Sequence, residues 1–305
     1  MKKTNPHAIL SQTLERIEGA YAPATVRAFK ADFNAFIQYC EKLKLSALPA
    51  NPFTTSAYID HLAKSDFTSA YIRRIIASIA SIHKLNRLED PTKDRDVQLA
   101  TRKMHRLLGR NSQQVAGITK PLLEKMTASL DDSLRGIRDK ALLLVAYDTL
   151  CRRSELVNLL AEDITWTEIK INSQQIASIK LRKSKTDQCS QGKWLHLSHE
   201  ASLSLDEWLT ESAITIGPIF RGITRGGKVT GGLGCGQIAR IYKRIATEAK
   251  IDSETIKHIS GHSMRIGAAQ DLLISGASLP IIMNRGRWSK VDTVMRYVEQ
   301  IHMPL

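Results

Sequence analysis

Long apolar runs are missing from this chain. No stretch reaches the ~18 consecutive apolar residues that a bilayer-spanning helix needs, and a membrane-embedded protein is excluded. At the N-terminus, "MKKTNPHAILSQTLERIEG" carries two lysines but continues into polar residues where a signal peptide would place its apolar segment. The expectation is a chain that stays in the cytoplasm, at the bacterial nucleoid, encoded by a plasmid or phage. Cysteine is scarce too. The four, Cys40, Cys151, Cys189 and Cys235, include no CxxC pair, which argues against a disulfide frame or a zinc site and fits reduced thiols. Acidic residues are in deficit, 30 against 44 lysines and arginines, leaving a net charge of +14. Such an excess calls for a polyanionic partner, nucleic acid first, with an anionic membrane surface or ribosomal RNA as the other readings of charge alone. There is no internal repeat and no low-complexity tract.

What is present reads as two domains, the better expectation for 305 residues. Residues 1–110 read as a bundle of about five helices. In "PATVRAFKADFNAFIQYCEKL" the apolar residues Val26, Phe29, Phe33, Phe36, Ile37 and Cys40 recur at helical period behind a proline suited to a first turn. "TTSAYIDHLAKS", "TSAYIRRIIASIASIHKLNRL" and "DRDVQLATRKMHRLLGR" follow, the first two opening on Thr or Ser caps. The polar, aperiodic segment 109–119, "GRNSQQVAGIT", is the expected linker. A second domain over 119–305 opens with helices, then changes period: "TWTEIKINS", "ASIKLRKSK" and "KWLHLS" alternate apolar and polar residues, as a small antiparallel sheet would. Helices resume from Ser202 onward. The fold class is therefore mainly α, with an α+β second domain.

Two motifs fail on inspection. "GITRGGKV", Gly222 to Val229, has the glycine–lysine spacing of a phosphate-cradling loop, but Val229 stands where a magnesium-binding Ser or Thr is required and no helix pattern follows. It reads as a flexible loop between helices, with Arg225 and Lys228 available to phosphate. His258 and His262 are four apart, yet Ser260 and Gly261 between them suggest a helix start, which puts the pair on different elements and argues against a shared metal.

Basic residues cluster on several predicted helices: Arg27 and Lys30; Arg73, Arg74, Lys84 and Arg87; Arg102, Lys103 and Arg106. A solvated charged face is the usual fate of such residues, but with the overall charge they are candidate DNA-backbone contacts. In "GQIARIYKR", Gln237 and Arg240 lie one turn apart at a helix start, where side chains reach base edges, and Lys243 and Arg244 are placed to hold phosphates.

Three further stretches belong together: "DTLCRRSE", "GHSMRIGAAQDLLISGASLPIIMNRGRW" and "VMRYV". In combination they resemble the tyrosine recombinase family, over nearly the whole chain. The spacing from His262 through Arg265 and Trp288 to Tyr297 is highly specific. The resemblance implies an N-terminal core-DNA-binding domain and a catalytic domain that form a C-shaped clamp on double-stranded DNA. It implies strand exchange through a 3′-phosphotyrosine and a Holliday junction, at inverted-repeat sites joined by a homotetramer, with no membrane role and no cofactor. Arg152 falls in the first catalytic arginine position with Glu155 as its nearby acid, and Tyr297 is the nucleophile. Lys185 matches the mobile lysine that protonates the leaving oxygen, although Lys183 stands two residues away. Trp288, where many relatives carry His, points to the Cre-like branch.

The residue types suit that chemistry independently. Phosphodiester transfer builds negative charge on nonbridging oxygens, which two permanently charged guanidinium forks, Arg152 and Arg265, can clamp. A tyrosyl ester preserves the bond energy, so rejoining needs neither ATP nor metal. His262 is a candidate acid–base group, and the indole N–H of Trp288 can only donate. A topoisomerase with the same nucleophile, and a basic DNA-binding regulator with a vestigial site, are the competing readings. After Tyr297 only eight residues remain, "VEQIHMPL". The expectation is a tail that inserts Ile301, Met303 and Leu305 into a neighbouring subunit, giving weak tetramers assembled on DNA and a monomer free in solution.

Overall fold

The computed structural model describes residues 5–110, 115–169, 174–182 and 192–298. It is mostly helical, and the chain divides into two compact units, Met1–Gln113 and Gln114–Leu305. Lys183, Lys185, Cys189, residues 111–114 of the expected linker and the tail from 299 onward lie outside the described residues.

Among the described residues the first unit has five α-helices, α1 (Pro6–Arg16), α2 (Pro23–Lys42), α3 (Pro52–Ala63), α4 (Ser69–Leu85) and α5 (Arg95–Leu108), with a short 3-10 turn at Pro91–Lys93. Their starts are chemically marked. Proline opens α1, α2 and α3, and the side chains of Thr68 and Asp94 cap α4 and α5. The helical stripe on α2 buries Phe33, Phe36 and Ile37 against Ile59 of α3 and Ile72, Ile75, Ile79 and Ile82 of α4. Buried polar groups tie this core together, His83 among them. His83 is fully buried, its Nδ1 donating to the Ile79 carbonyl (2.8 Å) and its Nε2 accepting from the Ala50 N–H (3.0 Å). Burial lowers its pKa, so the ring sits there neutral. One expectation needs correction. Arg87 is not on α4, because the helix ends at Leu85 and Arg87 turns the chain with φ +57.

The second unit begins with α6 (Lys120–Ala128), α7 (Leu134–Thr149) and the single turn α8 (Arg153–Leu156). The strands β1 (Ile164–Ile169), β2 (Gln174–Leu181) and β3 (Lys193–His196) form an antiparallel sheet in the order β1–β2–β3. Then come α9 (His199–Glu211), β4 (Arg221–Ile223), β5 (Val229–Gly232), α10 (Cys235–Glu248), α11 (Ser253–His258), α12 (Ser263–Ile274), α13 (Leu279–Gly286) and α14 (Val291–Val298). Residues Ala141 to Ala146 of α7 are all buried, so this helix runs through the core rather than along its surface. The sheet turns Ala177, Ile179, Leu181 and Leu195 onto the same core.

Two sequence expectations change. "GITRGGKV" is an antiparallel hairpin, β4 against β5, closed by the Thr224 N–H to Lys228 carbonyl bond, not a loop between helices. Its strands are too short, and its glycines too many, to print a period-two pattern. The helix after the sheet starts at His199, capped by Ser198, ahead of Ser202.

A separate small apolar cluster of Leu150, Ala268, Ala269, Ile282, Trp288 and Val294, with Tyr297 packed on it, binds α12, α13 and α14 to the end of α7. α12 also lies close against the segment before α6. A Cβ on Gly267 would meet the Ile118 carbonyl oxygen at 2.0 Å, so only glycine permits the approach.

Candidate active site

The site begins where α7 stops. Leu150 takes a left-handed conformation (φ +48), ending the helix, and Arg152 becomes the residue before α8. Glu155 then reaches back: its Oε2 accepts the Arg152 backbone N–H (3.0 Å) and its Oε1 accepts the Arg152 Nη1–H (2.6 Å). A helix-start bond and an ion pair thus share one carboxylate. Glu155 is buried, which alone would raise its pKa, but Arg287 and Arg152 outweigh this and hold it below the ordinary value.

From α12, Arg265 enters the same space almost fully buried. Its guanidinium donates to the carbonyls of Leu150 and Gly286 and lies 4.1 Å from the centre of the Trp288 ring, a cation–π stack. Trp288 in turn contacts Tyr297, ring centres 5.8 Å apart. The Tyr297 carbonyl accepts a hydrogen bond from Gln270 of α12 (3.0 Å), which fixes α14 to the helix that carries Arg265. His262 stands immediately before α12, with its N–H bonded to Ser260 Oγ (3.1 Å). The residue is exposed to solvent, yet the atoms packed around it, and then the charges of Arg153, Arg265 and Arg152, lower its pKa, so the imidazole is neutral at pH 7. His258 closes α11 and pairs with Glu254 (3.1 Å), so the two histidines stand on different elements.

Arg152, Glu155, His262, Arg265, Trp288 and Tyr297 are therefore brought together, from four separate elements. One member of the group was not singled out from the sequence. Arg287, buried, donates from Nη2 to Glu155 Oε2 (2.9 Å) and from Nη1 to the Thr149 carbonyl (3.0 Å). Nothing in the local sequence marks it, since these two partners lie more than 130 residues away. The result is a crowded cationic pocket in which Arg152, Arg265 and Arg287 surround the one carboxylate of Glu155. Burial, and then the charges of Arg152 and Arg287, lower the pKa of Arg265, as expected where like charges are gathered in one buried place.

The candidate DNA contacts fall into two groups. Arg27, Lys30, Arg73, Arg102, Lys103 and Arg106 are exposed, as is Arg240, whose Nε also donates to the Gly236 carbonyl of its own helix (3.4 Å). Others are engaged within the protein. Arg74 pairs with buried Asp32 (2.7 Å) and lies over the Tyr71 ring. The Gln237 side-chain oxygen caps its own helix at the Gly234 N–H (2.7 Å), and Lys243 donates to the Lys257 carbonyl (3.0 Å). Arg244 is held by Asp139, which is fully buried, and by Glu248 (2.7 Å). Its position is that of a bolt between α10 and α7.

A mostly helical chain that gathers arginines, a histidine, a tryptophan and a tyrosine around one anion-seeking pocket has the make-up of an enzyme acting on phosphodiesters. Residues 117–302 match the pattern of the phage integrase family. The chain is 30% identical over 296 residues to an integrase/recombinase xerD homolog of Selenomonas ruminantium, covering 93% of this chain and 84% of that protein. It is 24% identical over 298 residues to recombinase cre of Escherichia phage P1, covering 92% and 85%. Solved structures share its fold, two of them bound to DNA. The Tn1549 transposon integrase in complex with transposon right end DNA gives a TM-score of 0.66 at 10% identity, covering 99% of this chain and 96% of that one. The XerH site-specific recombinase bound to palindromic difH substrate gives 0.64 at 13% identity, covering 97% and 82%. The chain belongs to the phage integrase family and is a tyrosine-type site-specific DNA recombinase.

Proposed function

We propose that the chain cuts and rejoins DNA with Tyr297 as nucleophile. The phenolic oxygen attacks the scissile phosphorus, a 3′-phosphotyrosyl ester forms, and the bond to the 5′ oxygen breaks. Arg152 and Arg265 clamp the nonbridging oxygens, and the Trp288 indole N–H donates to one of them. Neutral His262 takes the phenol proton and Lys185 gives a proton to the leaving 5′ oxygen. The ester conserves the energy of the broken bond, so a free 5′ hydroxyl from the second duplex can reverse the step through a Holliday junction without ATP or metal. The working assembly is a homotetramer on two inverted-repeat DNA sites, each subunit cutting one strand. The observation that carries this reading is the stack of Arg265 on Trp288 against Tyr297, beside Arg152 and His262 in a net cationic pocket.

The test is covalent capture on a duplex nicked close to the cut, so that the released 5′ fragment diffuses away. The unaltered protein should become attached to DNA in a form that survives detergent. Tyr297→Phe should bind the same duplex and attach none of it, and Arg152→Ala or Arg265→Ala should attach it on the order of 10²-fold more slowly. Attachment by Tyr297→Phe at any comparable rate refutes the assignment.

A further inference from the structure

Arg287 occupies an improbable place for a long charged side chain. It follows α13 in the left-handed region (φ +56, ψ +46), which L residues other than Gly and Asn seldom visit, and it is buried. Its guanidinium nevertheless makes a dense set of contacts: Glu155 Oε2 (2.9 Å), the carbonyls of Thr149 (3.0 Å) and Leu150 (3.2 Å), and Cys151 Sγ (3.7 Å). In the other direction, its own carbonyl accepts the Arg152 Nη2–H (3.4 Å). Arg152, Glu155 and Arg287 thus form a closed cycle, carboxylate to two guanidiniums and one guanidinium back to the other's backbone. The residues on either side of Arg287 are also in the site, for Gly286 accepts from Arg265 and Trp288 carries its stack.

We propose that Arg287 is a positioning residue for strand cleavage: it holds the Glu155 carboxylate and the end of α7 against the Trp288 corner, so that Arg152 and Arg265 present a fixed pair of charges to the phosphate. Electrostatics supply the reason for a second cation. Glu155 is needed to orient Arg152, yet a carboxylate beside the phosphate site repels the substrate and competes for Arg152. Arg287 offsets that charge from the side of α13, leaving the cluster net positive. This inference rests on the reading of Arg152, Arg265 and Tyr297 given above.

The experiment uses the full chain and the nicked duplex. Arg287→Gly removes the guanidinium at a backbone conformation that glycine adopts without strain, and Arg287→Lys keeps the charge but not the fork. Each is measured for thermal midpoint, DNA affinity and rate of covalent attachment across pH. With Arg287→Gly, DNA affinity should stay within about threefold while attachment slows roughly 10- to 100-fold, and Arg287→Lys should regain most of the loss. The acid limb of the pH–rate curve should also move upward, because Glu155 loses one of the two cations that hold its pKa down. The other groups facing that carboxylate are Arg152 and Cys151 on the α7–α8 turn and His262 and Arg265 from α12, and all stay in place. An attachment rate within threefold of the unaltered protein overturns the proposal. So does a slow Arg287→Gly whose acid limb has not moved and which lysine does not rescue, since that pattern describes a merely structural residue. Should Arg287→Gly fail to fold, Arg287→Gln, which keeps volume without charge, is judged on the same two readouts. Tyr297→Phe runs in parallel: attachment by it refutes the nucleophile, whereas a silent Tyr297→Phe beside normal Arg287 variants refutes the positioning role alone.

Discussion

His262 is the residue whose protonation the pocket controls most directly. Burial and three arginines lower its pKa, with Glu155 opposing them. Because the folded value lies below the unfolded one, the histidine's contribution to stability is present above about pH 6.5 and is lost as pH falls through the folded value. A neutral imidazole is also the form able to accept the phenol proton. The expected outcome is an imidazole titration midpoint below 6.5 in the free protein, followed by NMR of the ring. In the Tyr297→Phe protein on DNA the midpoint should rise, since a phosphate anion favours the charged ring. A midpoint above 6.5 in the free protein would contradict the cationic reading of the pocket. At this scale the sequence told much. Arg152, Glu155, His262, Arg265, Trp288 and Tyr297 sit in short stretches with recognisable spacing, and the structure draws them to one place. Arg287 could not be read that way, because its importance arises from Glu155 and Thr149, brought near only by folding. Arg244 was legible as a basic residue on α10 but not as the partner of buried Asp139, for the same reason.

Elements were legible where they are long and one-sided. The stripe on α2 could be counted off in advance, and the alternation in β1, β2 and β3 marked a sheet before its strand order was known. The single turn α8 and the hairpin β4–β5 were not, since four residues carry no period and their formation depends on what surrounds them. Close approach between elements was equally invisible, and it matters at the corner between α13 and α14. A Cβ added to Gly286 would fall 1.9 Å from a carbon of the Trp288 ring, so Gly286→Ala forces the indole away. Arg265 would then lose the face it stacks on, and Tyr297 its neighbour. The two large apolar cores contain neither residue, so the variant should fold and bind DNA. Displacing reacting groups by about an ångström can cost on the order of 10² in rate, and covalent attachment should slow on that scale. A Gly286→Ala protein that attaches DNA at the normal rate would mean that the Trp288 corner does not set the position of Arg265.

For the molecule as a whole, chemistry and charge are divided unequally between the two units. Every described residue of the candidate active site lies in Gln114–Leu305, while Met1–Gln113 has its own core and exposes Arg27, Lys30, Arg73, Arg102, Lys103 and Arg106. Exposed cations of that kind act on DNA first through the backbone phosphates they neutralise, and each phosphate contact contributes about 0.9 to the slope of log affinity against log salt. If all six engage the duplex, a protein reduced to residues 115–305 should lose up to about five from that slope, along with much of its affinity at low salt. Its attachment to DNA at saturating concentration should persist, because the clamp arginines, His262 and Tyr297 remain. Replacing the six residues with alanine in the full chain should reproduce the change in slope while leaving both cores intact, which separates lost phosphate contacts from a lost domain. The measurement is a salt titration of binding to one site duplex and to an unrelated duplex of equal length. Arg74 provides an internal control: tied to Asp32, it should alter the slope less than any of the six when replaced. A slope that stays the same after truncation would place the DNA contacts in the second unit alone, and the positive charge of the first would then serve something other than DNA.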